Sequence, residues 1–134
     1  MTDTKNETIL RTMIRVFWNE KNLDSFAEFF HPDAVLHAGK THYSGIEDFR
    51  DGYAGRFMAA FPDLHHEIEF LLVKGDLGAM RFRGTGTLEH DHNDLTARGQ
   101  KLDYHGTAFF RLVDGRIAEV WSHSDMWQWV DAQR

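Results

Sequence analysis

The side chains able to move protons in this chain are its carboxylates, its tyrosines and nine histidines, set in a sequence with eleven Phe and four Trp. A carboxylate enclosed by apolar groups has its pKa raised toward neutrality and becomes a competent base for removing a proton next to a carbonyl. A histidine can share a proton with the carbonyl oxygen, and a tyrosine hydroxyl can hold that oxygen in place. What is missing excludes other chemistries. Without cysteine there is no thiol nucleophile, disulfide or thiolate metal site. His90-Asp91-His92 and His65-His66 bring imidazoles close along the chain. A metal site needs three or four converging ligands, however, and neither run fits a ligand-spacing template, so no metal is expected. Gly84-Thr85-Gly86 lacks the lysine and helix context of a phosphate loop, and Ser122 and Ser124 flank His123 without forming a nucleophile elbow.

The elements that must position these groups follow from periodicity. Ile9, Leu10, Met13, Ile14, Phe17 and Trp18 recur at three- and four-residue spacing, which predicts a helix over Asn6–Glu20. A short helix follows over Leu23–Phe30, with Asn22 as its cap, and His31-Pro32-Asp33 stops it. Ala34–His37 reads as a strand and the Gly- and Tyr-containing stretch after it as a loop. Ser44-Gly45-Ile46-Glu47 then reads as a capping box opening a third helix, with Ile46, Phe49, Tyr53 and Phe57 on one face. Beyond Leu64 the pattern turns to strands: His66–Val73, Ala79–Leu88, Leu102–Val113 and Ile117–His123. Lys74-Gly75-Asp76 is a turn, and Asp114-Gly115 is a two-residue hairpin. Glu89–Gln100 is a polar loop near a pocket mouth, and Met126–Gln133 closes the chain as a short helix. Helices followed by an antiparallel meander indicate an α+β fold, with a single domain over residues 1–134.

The totals bound the partners. A formal net charge of −6 with no Lys/Arg cluster argues against nucleic acid. No apolar run approaches the roughly 20 residues of a membrane span. MTDTKNETIL lacks a basic start followed by an apolar stretch, so the cytoplasm is the expected compartment.

Several landmarks recur in one order: His37, Ser44-Gly45-Ile46-Glu47, Ala60-Phe61-Pro62-Asp63-Leu64, Gly75-Asp76, Arg83-Gly84-Thr85, Val113-Asp114-Gly115-Arg116-Ile117 and Glu119-Val120-Trp121 with Asp125. That order resembles the SnoaL-like polyketide cyclases and predicted ester cyclases of the nuclear-transport-factor-2-like superfamily. The resemblance runs from about Ile9 to Gln133. It implies a cone-shaped fold, with N-terminal helices packed on a curved, mainly antiparallel sheet that encloses a pocket. It also implies a homodimer formed through the outer sheet face, and a small, largely apolar carbonyl compound as ligand, handled without a cofactor. A non-catalytic ligand-binding module, or a hydrolase of the same fold, is the alternative, since one fold carries many functions.

On that resemblance Asp125 matches the aspartate after the last strand's tryptophan and is the candidate base; the competing reading makes it the cap of the terminal helix. His37 matches a histidine of the ester-cyclase pattern and is the candidate proton partner, against the reading of a satisfied buried histidine. His105 is the third catalytic candidate. It and His123 lie on adjacent late strands whose facing alternation alone leaves open, because bulges reverse parity. Trp18, Tyr53, Phe57, Tyr104, Trp121 and His123 are the candidate substrate contacts. In the aldol-type cyclases of the family a histidine and an aspartate occupy positions that fall near Ala108 and Ser122 here. Neither of these is an acid or a base.

Overall fold

The computed structural model of the protein describes residues 2–134. The first apolar face forms helix α1 (Thr2–Met13), which loosens into a π-helical turn over Ile14–Asn19. The second predicted helix is shorter than its pattern suggested. A single 3-10 turn (Leu23–Ser25) leads into α2 (Phe26–Phe29). Phe30 already belongs to β1 (Phe30–Ala38), so Pro32 lies inside an extended strand rather than ending a helix. The stretch read as a loop contains a short strand, β2 (Thr41–Ser44), paired antiparallel to β1.

The capping-box reading is corrected as well. Gly45, at φ 76°, precedes the next helical segment, and it is Asp48, not Glu47, that reaches back to accept the Ser44 N–H at 3.0 Å. Likewise Asn22 makes no side-chain cap; its carbonyl accepts the Ser25 hydroxyl at 2.6 Å instead. That third segment is π-helical over Ile46–Gly55 and becomes α3 over Arg56–Ala60.

Four strands complete the sheet: β3 (His65–Lys74), β4 (Leu77–Thr87), β5 (Lys101–Val113) and β6 (Arg116–Ser124). The six strands run in the order β2-β1-β6-β5-β4-β3, antiparallel except where β1 lies parallel to β6. The Asp114-Gly115 hairpin forms as read, with both residues at positive φ (51° and 77°), the geometry a two-residue primed turn requires. Helix α4 (Met126–Ala132) follows β6 and is tied to β5 by the Trp129 indole N–H donating to the Lys101 carbonyl at 2.7 Å. Helices thus pack against a six-stranded, mainly antiparallel sheet, the expected α+β arrangement.

Phe17, Phe26, Phe30 and Phe49 form a buried aromatic cluster between the helices and the sheet, with Phe26 and Phe30 stacked at 4.7 Å. On β5 the even-numbered residues from Leu102 to Leu112 are buried without interruption, so parity holds along its whole length. The register then sets its neighbours: Ala108 pairs with Ser122 and Phe109 with Trp121. The opposite face carries Phe70, Leu72, Leu77 and Phe109, all more than half exposed. No described helix is long and apolar enough to cross a membrane.

Candidate functional site

The inward rows of β1, β4, β5 and β6 and the two π-helical segments enclose an apolar cavity. Its wall includes Trp18, Tyr53, Phe57, Phe82 and Phe110, with Ala108, Ser122 and Ser124 on the sheet side. About 80 Å³ is open to the centres of water-sized atoms, several times the minimum for one water. That suits a small molecule. Among the described residues, no Asp, Glu, Lys or Arg lines the cavity.

Its polar centre is His66 with Tyr104. One register row explains the pair: His66 on β3 sits opposite Gly84 on β4, which sits opposite Tyr104 on β5. With no side chain at Gly84, the Tyr104 ring leans across the intervening strand, and its hydroxyl meets His66 Nε2 at 2.6 Å. Trp18 meets the imidazole edge-on at 5.2 Å and Phe82 at 5.5 Å. This enclosure, with lesser contributions from the His65 and Lys21 charges, pushes the His66 pKa down to about 3, so the ring is neutral at physiological pH. Burial likewise raises Tyr104 well above the ordinary phenol value and Tyr53 to about 12, which keeps both hydroxyls protonated as donors. His66 Nδ1 is buried with no hydrogen-bond partner. Buried polar atoms are rarely left this way, and each such case calls for a reason.

Of the residues singled out from sequence, Trp18, Tyr53, Phe57 and Tyr104 line the cavity. The other five do not. His37, Trp121, His105 and His123 fall on the odd, outward rows fixed by the β5–β6 and β1–β6 registers. There His37 Nε2 lies 2.6 Å from Glu119, its Nδ1 faces His42 at 2.6 Å, and Trp121 stacks on its ring at 5.6 Å. His105 Nε2 lies 4.0 Å from Glu69. Asp125 is exposed, and its Oδ1 accepts the backbone N–H of His105 at 2.8 Å. It is therefore neither in the cavity nor a side-chain cap of α4, where Ser124 Oγ accepts the Met126 N–H at 3.3 Å. Ala108 and Ser122, the positions matched to the aldol cyclases' acid and base, do line the cavity. Among the described residues no three His, Asp or Glu side chains converge as a metal site.

Asp125 therefore serves as a strand-end acceptor. Asp125→Asn keeps Oδ1 and is expected to leave the unfolding free energy within about 0.5 kcal/mol of wild type; Asp125→Ala loses one exposed hydrogen bond and is expected to cost about 1 kcal/mol. Urea titration of both variants checks this. A loss of several kcal/mol in the asparagine variant would contradict it.

The sequence profile of the SnoaL-like polyketide cyclases matches residues 8–131. The chain belongs to that family. Among solved structures, this SnoaL-like chain superposes on a candidate SnoaL-like polyketide cyclase from Jannaschia sp. CCS1 with a TM-score of 0.88 at 21% identity, over 98% of this chain and 93% of the other. IdmH of Streptomyces antibioticus, a candidate polyketide cyclase, matches at 27% identity and TM-score 0.74 over 94% and 96% of the two chains. AclR of Streptomyces galilaeus, a candidate hydroxylase, matches at 23% identity and TM-score 0.81 over 92% of this chain and 77% of its own. No curated protein matches the chain in sequence. The SnoaL-like fold is thereby shared with proteins assigned to more than one chemistry.

Proposed function

We propose that this SnoaL-like chain takes a small, neutral, largely apolar carbonyl compound into its cavity and turns it over by cofactor-independent proton transfer, as a cyclase or isomerase. The observation that carries this reading is the His66–Tyr104 pair, two neutral hydrogen-bonding groups 2.6 Å apart at the centre of an apolar wall. A charged ligand would enter unpaired, at a cost of several kcal/mol, because no ionised side chain lines the cavity. An oxygen-bearing ligand finds donors in Tyr104 and Tyr53. With the Tyr104 O–H turned to a carbonyl oxygen, the 2.6 Å bond has His66 Nε2–H as donor, and Nδ1 is left as a lone pair. Tyr104, oriented by the neutral imidazole, then polarises the carbonyl and stabilises its oxygen as charge builds there, which acidifies the carbon beside it. The enol carbon formed as that proton passes to solvent closes a ring on a second carbonyl or is reprotonated elsewhere.

A second reading, ligand binding without turnover, is favoured by Ala108 and Ser122, which put no acid or base on the β5–β6 part of the wall. One experiment separates the two. A panel of neutral aryl methyl ketones and β-keto esters is titrated by Trp fluorescence, then followed in D2O by proton NMR for deuterium uptake beside the carbonyl. Turnover predicts binding plus catalysed uptake that falls at least tenfold in Tyr104→Phe and in His66→Gln, with dissociation constants changed less than about threefold. Binding without uptake favours the module. If no panel member binds, the carbonyl-ligand reading fails.

A further inference from the structure

We propose that Asn19 is a positioning residue, holding His66 in place by acting as a one-residue substitute for a neighbouring strand on the free edge of β3. As the last strand in the sheet order, β3 has one edge without a partner strand. At His66 that edge is nevertheless satisfied. The His66 N–H donates to Asn19 Oδ1 at 2.7 Å, and Asn19 Nδ2 donates to the His66 carbonyl at 2.9 Å. One side-chain amide thus makes both bonds that an adjoining strand would make. His66 and Gly84 are consequently a non-hydrogen-bonded pair across β3 and β4, the closer of the two antiparallel spacings.

Asn19 is itself held. It ends the π-helical turn that begins at Ile14, directly after Trp18, whose indole packs on the His66 ring at 5.2 Å. Lys21, at φ 56°, turns the chain back, and its ammonium donates to the Leu64 carbonyl at 2.7 Å and the Asn19 carbonyl at 3.2 Å. Residues 18–21 therefore grip residues 64–66 through backbone and ring together. Edge strands fray where their outer groups face water. Without the amide, His66 is free to shift by the few tenths of an ångström that a 2.6 Å hydrogen bond cannot follow, and water gains access to the imidazole.

The functional weight of this inference rests on His66 and Tyr104 handling the ligand, but its test does not. Nitrogen-15 NMR of histidine side chains, on the whole chain without ligand, is expected to show wild-type His66 as one neutral tautomer from pH 8 to pH 5. In Asn19→Ala the ring is expected to average between tautomers and begin to titrate above pH 5. Asn19→Asp keeps the acceptor for the His66 N–H but sets a carboxylate against its carbonyl, and a smaller shift of the same kind is expected. A purely structural role would lower the melting temperature and leave the His66 signals alone. In wild type, the His66 amide is expected to exchange with deuterium at least tenfold more slowly than that of Ile68, the next residue of the same parity on that edge. A folded Asn19→Ala with unchanged His66 tautomer and titration overturns the proposal. So does a wild-type His66 amide that exchanges as fast as that of Ile68, which decides the matter even if the variants fail to fold. If His66 responds to loss of Asn19 while no ketone binds, the positioning role stands and the ligand reading falls.

Discussion

Gly84→Ala is expected to break the His66–Tyr104 bond and to abolish ligand handling in the cavity, with at least a hundredfold loss of any catalysed deuterium uptake. A Cβ on Gly84 would lie 2.2 Å from Tyr104 Cε1 and 2.8 Å from Cζ. The obstruction is the ring itself, and that ring is held between Phe82 at 5.9 Å and Phe57 at 6.2 Å, so it cannot retreat without disturbing the wall. Overpacking of this kind costs about 1–3 kcal/mol. Parting the pair adds about 1–3 kcal/mol for each polar group left buried without a partner. A total destabilisation of roughly 3 kcal/mol or more is therefore expected. A double-mutant cycle isolates the cause. In a Tyr104→Ala background the added methyl meets no ring, and Gly84→Ala is expected to cost about 1 kcal/mol or less, giving a coupling of about 2 kcal/mol by urea unfolding. Additive effects would mean that the glycine serves the backbone rather than the tyrosine.

The same row of residues shows why the sequence disclosed the frame more readily than the site. Asp114-Gly115 declares its hairpin through turn chemistry alone, and Ala108 and Ser122, near which the resemblance set the aldol cyclases' histidine and aspartate, stand on the cavity wall. Aromatic residues at helical spacing put Trp18, Tyr53 and Phe57 on inward helical faces, and the structure has them along the cavity, because burial and periodicity carry the same information. His66 was hidden. It stands beside His65 in a run alternating with Glu67 and Glu69, and only Ile68 shares its face before the bulge between Ile68 and Phe70 reverses parity. The signal that could have found it is that two-step alternation, His66 and Ile68 inward against three polar neighbours outward. What cannot be read from residue types is the glycine vacancy on the neighbouring strand that gives His66 its partner two strands away. Conversely, His37 and His105 stand on outward rows, and Asp125 lies beyond the end of β6. The parity of the two histidines is set by pairing across β1, β5 and β6, which no local pattern specifies.

Stability is expected to fall by about 2 kcal/mol between pH 7 and pH 5, and most of that fall is expected to vanish in His66→Gln. The folded chain holds His66 near pKa 3 because burial disfavours the imidazolium, whereas the unfolded chain leaves it at its ordinary 6.5. Between those values the unfolded state binds up to one proton more than the folded state. Stability therefore declines as pH drops through 6.5 and goes on declining until about 3, and the stated interval covers about 2 kcal/mol of it. His92, whose pKa is also lowered by burial with a smaller effect from the Arg56 charge, adds to the decline in the same direction. The depressed carboxylates act elsewhere. Asp63, bonded to Thr87, and Glu119, bonded to His37 and Arg111, contribute stability that is lost only as pH falls below the ordinary carboxylate range. The interval from pH 7 to 5 thus isolates the histidines, and urea titrations at pH 7, 6 and 5 on wild type and His66→Gln measure it. An equal slope in both proteins would mean that His66 is wet and titrates normally, and the neutral pair at the centre of the cavity would be lost with it. The converse result carries function as well as stability. An imidazole that resists protonation to pH 5 keeps its lone pair across the whole physiological range, so ligand affinity and proton transfer in the cavity are expected to stay level from pH 5 to 8 while the fold around them weakens.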